Sequence, residues 1–402
     1  MAQTNYSGMN LLRMSLCILL WLPVAATAQP FLSTYLKKSK FLTSNFVDTI
    51  PLTIRNDRLF VPIYINDSEY LFMLDTGDGL GEIYSNGIIQ PSQTLCKKKC
   101  VDFNGAISLE PIVTMPDFRL GRLLVRNYPV RLSSHTESHG QDGLLGFGLF
   151  DKGIIAKIDT KNKHLIISDQ RRLFESEGGY ALKYKLHHYS PQVSIKPFQD
   201  CPEATVFDTG NPQLFVMNTD HLASIAASNE EVRRQVEGHT YGSSFISING
   251  LEPESDVYYA RLNELSWDSF YFSNVRIRTK NGDSNIGASL LRYGSIIINP
   301  FRRKLIFIPN TPTDNVEVNL PYYDEFCCTN SPDGKAQVGL IRPESIYHRL
   351  GIRKGDIILK VNGMTIISPA FFHNLFRQQP GNYTFHLLSP IRGAYEVNFT
   401  LP

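Results

Sequence analysis

The sequence predicts a mostly β fold: two copies of one β lobe around a central cleft, followed by a small α+β domain. Three observations carry this reading. Asp-Thr-Gly occurs twice, at residues 75–77 and 208–210, and each copy closes an apolar run, Leu71-Phe72-Met73-Leu74 and Ala204-Thr205-Val206-Phe207. Each copy is followed at long range by a glycine-containing apolar element and a strand-turn-strand. The intervening segments are short alternating runs rich in β-branched residues, bounded by turn residues.

The first lobe begins near residue 45. Its aspartate, Asp75, ends a strand. Downstream stand Asp142-Gly143-Leu144-Leu145-Gly146, then Ile154 to Asp159, a polar turn at Lys161-Asn162-Lys163, and His164-Leu165-Ile166-Ile167. The second lobe repeats the order. After Asp208 come Asn285-Ile286-Gly287-Ala288, then Ser295 to Asn299, a basic turn at Arg302-Arg303-Lys304, and Leu305-Ile306-Phe307-Ile308. The aspartates are 133 positions apart and Leu165 and Leu305 are 140 apart, so the period is that of a domain and not of a solenoid repeat.

Two carboxylates brought together in this way have a defined chemistry. They cannot both ionise cheaply, so the pair retains one proton. The charged member can take a proton from water and the neutral member can give one to a carbonyl. Neither a metal nor a cofactor is needed. A glycine after Asp-Thr permits the sharp turn that lets the carboxylates approach.

The arrangement resembles the aspartic proteases of the pepsin and retropepsin type, over roughly residues 45–312. The resemblance rests on Asp75-Thr76-Gly77, Asp208-Thr209-Gly210, Asp142-Gly143-Leu144-Leu145-Gly146 and Asn285-Ile286-Gly287-Ala288. It implies retropepsin-like lobes at 45–172 and 173–312. Asp75 and Asp208 would be catalytic, and Thr76, Gly77, Thr209 and Gly210 would form the active-site loops. It also implies an extended peptide or protein substrate. Cys96-Lys97-Lys98-Lys99-Cys100 lies where such enzymes often carry a small disulfide loop, so Cys96 and Cys100 are the expected pair. Flap aromatics are expected at Phe103 in the first lobe and Tyr241 in the second. The sequence departs from the family pattern after each glycine, where Asp78 and Asn211 replace a small residue, and Asp78 is a candidate modulator of the pair.

Residues 313–334, with Pro321, Pro332 and Gly334, read as a linker. Beyond them, at 335–402, Leu350-Gly351-Ile352, Gly355-Asp356-Ile357-Ile358 and Asn362-Gly363 resemble a PDZ domain of the bacterial protease type. The resemblance implies capture of a peptide ligand by strand addition beside Val338, Gly339, Leu340 and Ile341. The stretch 369–379, with Phe371, Phe372, Leu375 and Phe376, reads as the accompanying amphipathic helix.

A chain of 402 residues with 42% hydrophobic content can support these cores. A net charge of +2 gives no nucleic-acid or membrane footprint. Arg13, the apolar run 14–26 and Ala26-Thr27-Ala28 read as a signal peptide over 1–28, with no membrane span after its removal. Residues 29–44 are open between an edge strand, a short propeptide and a linker. Export together with a bacterial-type PDZ domain points to a Gram-negative periplasm or to secretion. Cys201, Cys327 and Cys328 are odd in number beside the expected Cys96–Cys100 pair, so one would stay free or pair between chains. The functional expectation is an exported aspartic endopeptidase. The alternative is a catalytically silent peptide-binding protein that keeps the cleft, and the intact aspartate pair favours the enzyme.

Overall fold

A computed structural model of the chain describes residues 32–401, apart from 86, 102–106, 135–139, 244–245, 248–249, 252, 323–324 and 377–379. The expected signal peptide lies outside the described residues. Among those described, no helix is long and apolar enough to cross a membrane.

The fold is mostly β. Among the described residues the first lobe carries an eleven-stranded sheet. At its centre Ser68–Asp75 pairs antiparallel with Arg58–Ile65 and parallel with Gly143–Gly146. The second lobe carries a nine-stranded sheet. There Cys201–Asp208 pairs antiparallel with Ser190–Phe198 and parallel with Ser284–Gly287. The registers match: Gly146 lies opposite Asp75, and Gly287 lies opposite Asp208. The sequence duplication is therefore a structural one.

A six-stranded sheet joins the lobes. Ile155–Asp159 of the first lobe pairs with Gly294–Asn299 of the second, with Lys157 opposite Ile297 at the junction. The hydrophobic core runs continuously through this bridge, from Val61, Phe72 and Leu145 to Phe207, Phe272 and Phe307. Ordinary alternation explains the outer strands: Val47–Pro51 reads exposed-buried-exposed, with Ile50 inward.

The described part of the N-terminal segment, from residue 32, is tied to the first lobe. Leu32–Lys38 is a helix whose Leu36 packs on Leu80 and Ile112, and Lys40–Phe41 pairs with Leu123–Arg126. The described residues of the segment 313–334 include two strands. Asn315–Glu317 pairs with Phe270–Lys280 of the second lobe, and Phe326–Asn330 is the first strand of the C-terminal unit. That unit has its own core around Phe326, Val338, Phe372 and Phe385. Its sheet leans on the second lobe, where Val257 and Tyr259 pack with Tyr322, Cys327 and Leu340.

Two expectations are corrected here. Cys96 and Cys100 are free thiols, as are Cys201 and Cys328. The first two lie on one continuous strand, Gln93–Val101, instead of a closed loop. Four extended residues span about 13 Å, whereas a disulfide tolerates a Cα separation of at most about 7 Å. The second correction concerns strand addition beside Val338–Ile341. That strand is interior to its sheet, flanked by Phe326–Asn330 and Ile357–Val361. The outer position belongs to Phe326–Asn330, which lies beside the helix Pro369–Leu375; the ring of His373 contacts the Cys328 carbonyl at 3.0 Å.

Candidate active site

Each Asp-Thr-Gly forms a turn at the end of its central strand, and the two turns meet between the lobes. The threonines lock them together crosswise. Thr76 N–H donates to Thr209 Oγ1 at 3.0 Å, and Thr209 N–H donates to Thr76 Oγ1 at 3.0 Å. Each hydroxyl in turn donates to a carbonyl of the opposite strand, Thr76 to Phe207 and Thr209 to Leu74, both at 2.7 Å. Both threonines are fully buried. Four hydrogen bonds at one point fix the separation of the lobes.

The glycines set how close the carboxylates come. A methyl group on Gly77 would lie 2.4 Å from Asp208 Oδ1, and one on Gly210 would lie 2.5 Å from Asp75 Oδ2. Any side chain there would collide with the aspartate of the other lobe. Beneath the loops, a methyl on Gly146 would meet the Asp78 carbonyl at 2.6 Å, and one on Gly287 would meet the Asn211 carbonyl at 2.4 Å. This explains the glycine in each apolar element.

The carboxylates have mirrored backbone donors. Asp75 Oδ1 accepts from Gly77 N–H at 3.0 Å and Asp78 N–H at 3.2 Å. Asp208 Oδ1 accepts from Gly210 N–H at 3.0 Å and Asn211 N–H at 3.3 Å. The symmetry ends at the side chains. Asn285 Nδ2 donates to Asp208 Oδ2 at 3.1 Å. Its counterpart in the first lobe, Leu144, packs with Phe60 and Met73 instead.

The charges differ as well. Burial, then the Asp208 and Asp78 carboxylates, push Asp75 well above the usual carboxylate range. Burial raises Asp208 too, but the hydrogen bond from Asp75, the Lys280 ammonium and its two backbone amides pull it back. The pair therefore holds a proton into a pH range where ordinary carboxylates are bare.

Asp78 is not turned to solvent. Arg131 Nη2 lies 2.5 Å from Asp78 Oδ2 and 2.9 Å from Glu82 Oε2. All three side chains are largely buried, and two carboxylates share one guanidinium. Burial pulls the Arg131 guanidinium down, but its two carboxylate neighbours more than offset this and raise it. Burial pushes Glu82 up to about 7, against the pull of Arg131. The Cys100 thiol also faces Arg131, and burial raises it.

Of the site residues expected from the sequence, Asp75, Thr76, Gly77, Asp78, Asp208, Thr209 and Gly210 come together. Phe103 lies outside the described residues, although the strands flanking it, Gln93–Val101 and Ile107–Thr114, form a hairpin. Tyr241 is half-exposed and engages the C-terminal unit instead of the aspartates. Lys354 Nζ sits 5.0 Å above its ring and donates to its carbonyl at 3.1 Å. The flap expectation for Tyr241 is therefore corrected: a cation from another domain holds it. Sequence reasoning missed Glu82, Arg131, Lys280 and the role of Asn285. The available signal was a charge within the strands Gly81–Tyr84 and Pro129–Ser133 and at the end of the strand Phe270–Lys280.

No family model matches the sequence, and no curated protein matches it. Among solved structures, the aspartic proteinase from Irpex lacteus is similar at a TM-score of 0.44 and 12% identity, covering 66% of this chain and 97% of that one.

Proposed function

We propose that the chain is an aspartic-type endopeptidase that hydrolyses peptide bonds with water activated between Asp75 and Asp208. One observation carries this reading: two carboxylates, one from each lobe, Asp208 buried and Asp75 half-buried, face each other on loops tied by the reciprocal Thr76–Thr209 bonds. The charged member takes a proton from water as the water oxygen bonds to the carbonyl carbon, and the neutral member protonates the carbonyl oxygen. The test is incubation of the purified chain with a denatured protein across pH, with and without a transition-state-mimic inhibitor of aspartic proteases. Cleavage suppressed by the inhibitor is expected. Absence of cleavage at every pH would leave the silent peptide-binding alternative.

The C-terminal unit, which resembles a PDZ domain in its sequence, serves in this reading to hold an extended segment of substrate or partner. Phe326–Asn330, as the outer strand on that side of its sheet, is a better position for strand addition than the interior strand. Because that strand belongs to the unit, a truncation must begin near residue 321. Removing 321–402 should leave cleavage of a short unstructured peptide unchanged and lower that of a large substrate several-fold, since local capture raises effective concentration. Parallel losses on both substrates would make the unit a structural buttress of the second lobe.

Export to a periplasm or out of the cell completes the proposal. Export itself rests on the signal-peptide pattern, and the periplasm on the PDZ resemblance beside it. N-terminal sequencing of the protein from its native host should read Gln29 first, and an intact Met1 would remove the export reading.

A further inference from the structure

We propose that Asn285 is a positioning residue that fixes Asp208 as the ionised member of the pair, so that Asp75 carries the shared proton. The inference rests on the peptidase reading and goes beyond it by assigning the two carboxylates different roles.

The asymmetry is geometric. Asp208 accepts hydrogen bonds on both oxygens, from Gly210 and Asn211 on Oδ1 and from Asn285 Nδ2 on Oδ2. A carboxylate with three donors aimed at it is stabilised in its charged form. Asp75 has the equivalent two backbone donors on Oδ1, but among the described residues no amide reaches its Oδ2. Leu144 occupies the position where Asn285 stands in the other lobe; both lie one residue before the apolar residue that precedes the glycine. Asn285 lies opposite Val206 in the parallel pairing, two residues before Asp208, so its side chain shares the face of that aspartate.

The flanking charges point the same way. On the side of Asp75 stands the Asp78 carboxylate, which raises it, with Arg131 beside that carboxylate. On the side of Asp208 stands the buried Lys280 ammonium. A negative field favours the protonated form of Asp75, and a positive one favours the bare form of Asp208.

The cycle then balances. Asp208 takes a proton from water while the water oxygen bonds to the carbonyl carbon, and Asp75 gives its proton to the carbonyl oxygen. In the tetrahedral diol, Asp208 passes its proton to the amide nitrogen as the carbon–nitrogen bond breaks. Asp75 recovers a proton from a diol hydroxyl. The pair returns to its starting state.

The test is the pH dependence of kcat/KM on one peptide for wild type, Asn285→Leu, Asn285→Gln and Asp78→Ser. The acid limb reports formation of the first carboxylate, and the basic limb reports loss of the remaining proton. Asn285→Leu, which installs the residue type of the first lobe, should move the acid limb up by about one pH unit. Asn285→Gln, which keeps an amide donor, should restore part of that shift. Asp78→Ser should move the basic limb down by about one pH unit, because Asp75 loses a negative neighbour. If Asp75 were the ionised member, Asn285→Leu would leave the acid limb in place and Asp78→Ser would shift it, which overturns the assignment. A wild type that cleaves nothing, or an Asp75→Asn variant that still cleaves, would instead overturn the peptidase reading.

Discussion

Replacing either aspartate with asparagine should abolish peptide hydrolysis and leave the fold intact. An asparagine keeps the size of the side chain and can still accept the backbone bonds that Asp75 receives from Gly77 and Asp78, or Asp208 from Gly210 and Asn211. What it lacks is the exchangeable proton and the charge. With one carboxyl left, the pair cannot both take a proton from water and give one to the carbonyl. Loss of one general acid–base group typically costs 10²–10⁴-fold; here a single change removes a shared function, so a loss at or beyond the top of that range is expected. The crosswise threonine bonds do not involve either carboxylate, so the thermal transition should be retained. Asp208→Asn removes the charge of the pair and should be the more stable of the two at neutral pH, whereas Asp75→Asn replaces the protonated member and leaves that charge in place. The measurement is kcat/KM on a single peptide beside the melting temperature. Near-wild-type turnover in either variant would refute the two-carboxylate mechanism.

Replacing Arg131 with methionine should be the most destabilising single change near the site. Arg131 is one guanidinium between two carboxylates, with side-chain exposures of 9% for Arg131, 16% for Asp78 and 4% for Glu82. Methionine fills a similar volume but leaves the carboxylates facing each other without a cation. Removing one partner of a buried ion pair costs about 3–5 kcal/mol. The loss should depend on pH, because Glu82 is the member that takes up a proton. Its folded value is raised from 4.5 to about 7. A raised carboxyl contributes stability that is present below 4.5 and is lost as the pH rises through about 7. That span corresponds to roughly 3 kcal/mol. The wild type should therefore be less stable at pH 8 than at pH 5, and Glu82→Gln should flatten that difference. Arg131→Met should be worst at pH 8 and partly relieved at pH 5. Urea denaturation of the three proteins at both pH values reads this directly. Equal losses at the two pH values would mean that Glu82 does not titrate in that window.

The two strand-end aspartates, their threonines and the duplicated glycine elements were legible because each depends on neighbours in the chain. A period-2 apolar run makes a strand. A glycine is required where a turn brings a backbone against a carboxylate, as at Gly77 and Gly210. The repeat of these signals was enough to predict two β lobes.

What stayed hidden depends on strand pairing across long separations. Arg131 meets Glu82 only because their strands run parallel in register, forty-nine residues apart. Asn285 reaches Asp208 across seventy-seven residues for the same reason. Two cysteines four apart looked like a loop, yet the hairpin partner Ile107–Thr114 draws them out straight. The strand Phe326–Asn330 is short and follows prolines, so its place at the edge of the C-terminal sheet became visible only once its partner Ala336–Ile341 was in position. Local chemistry determined which residues could form the pair. Register, which no local signal encodes, decided which charges and amides surround each member and so made two identical motifs unequal.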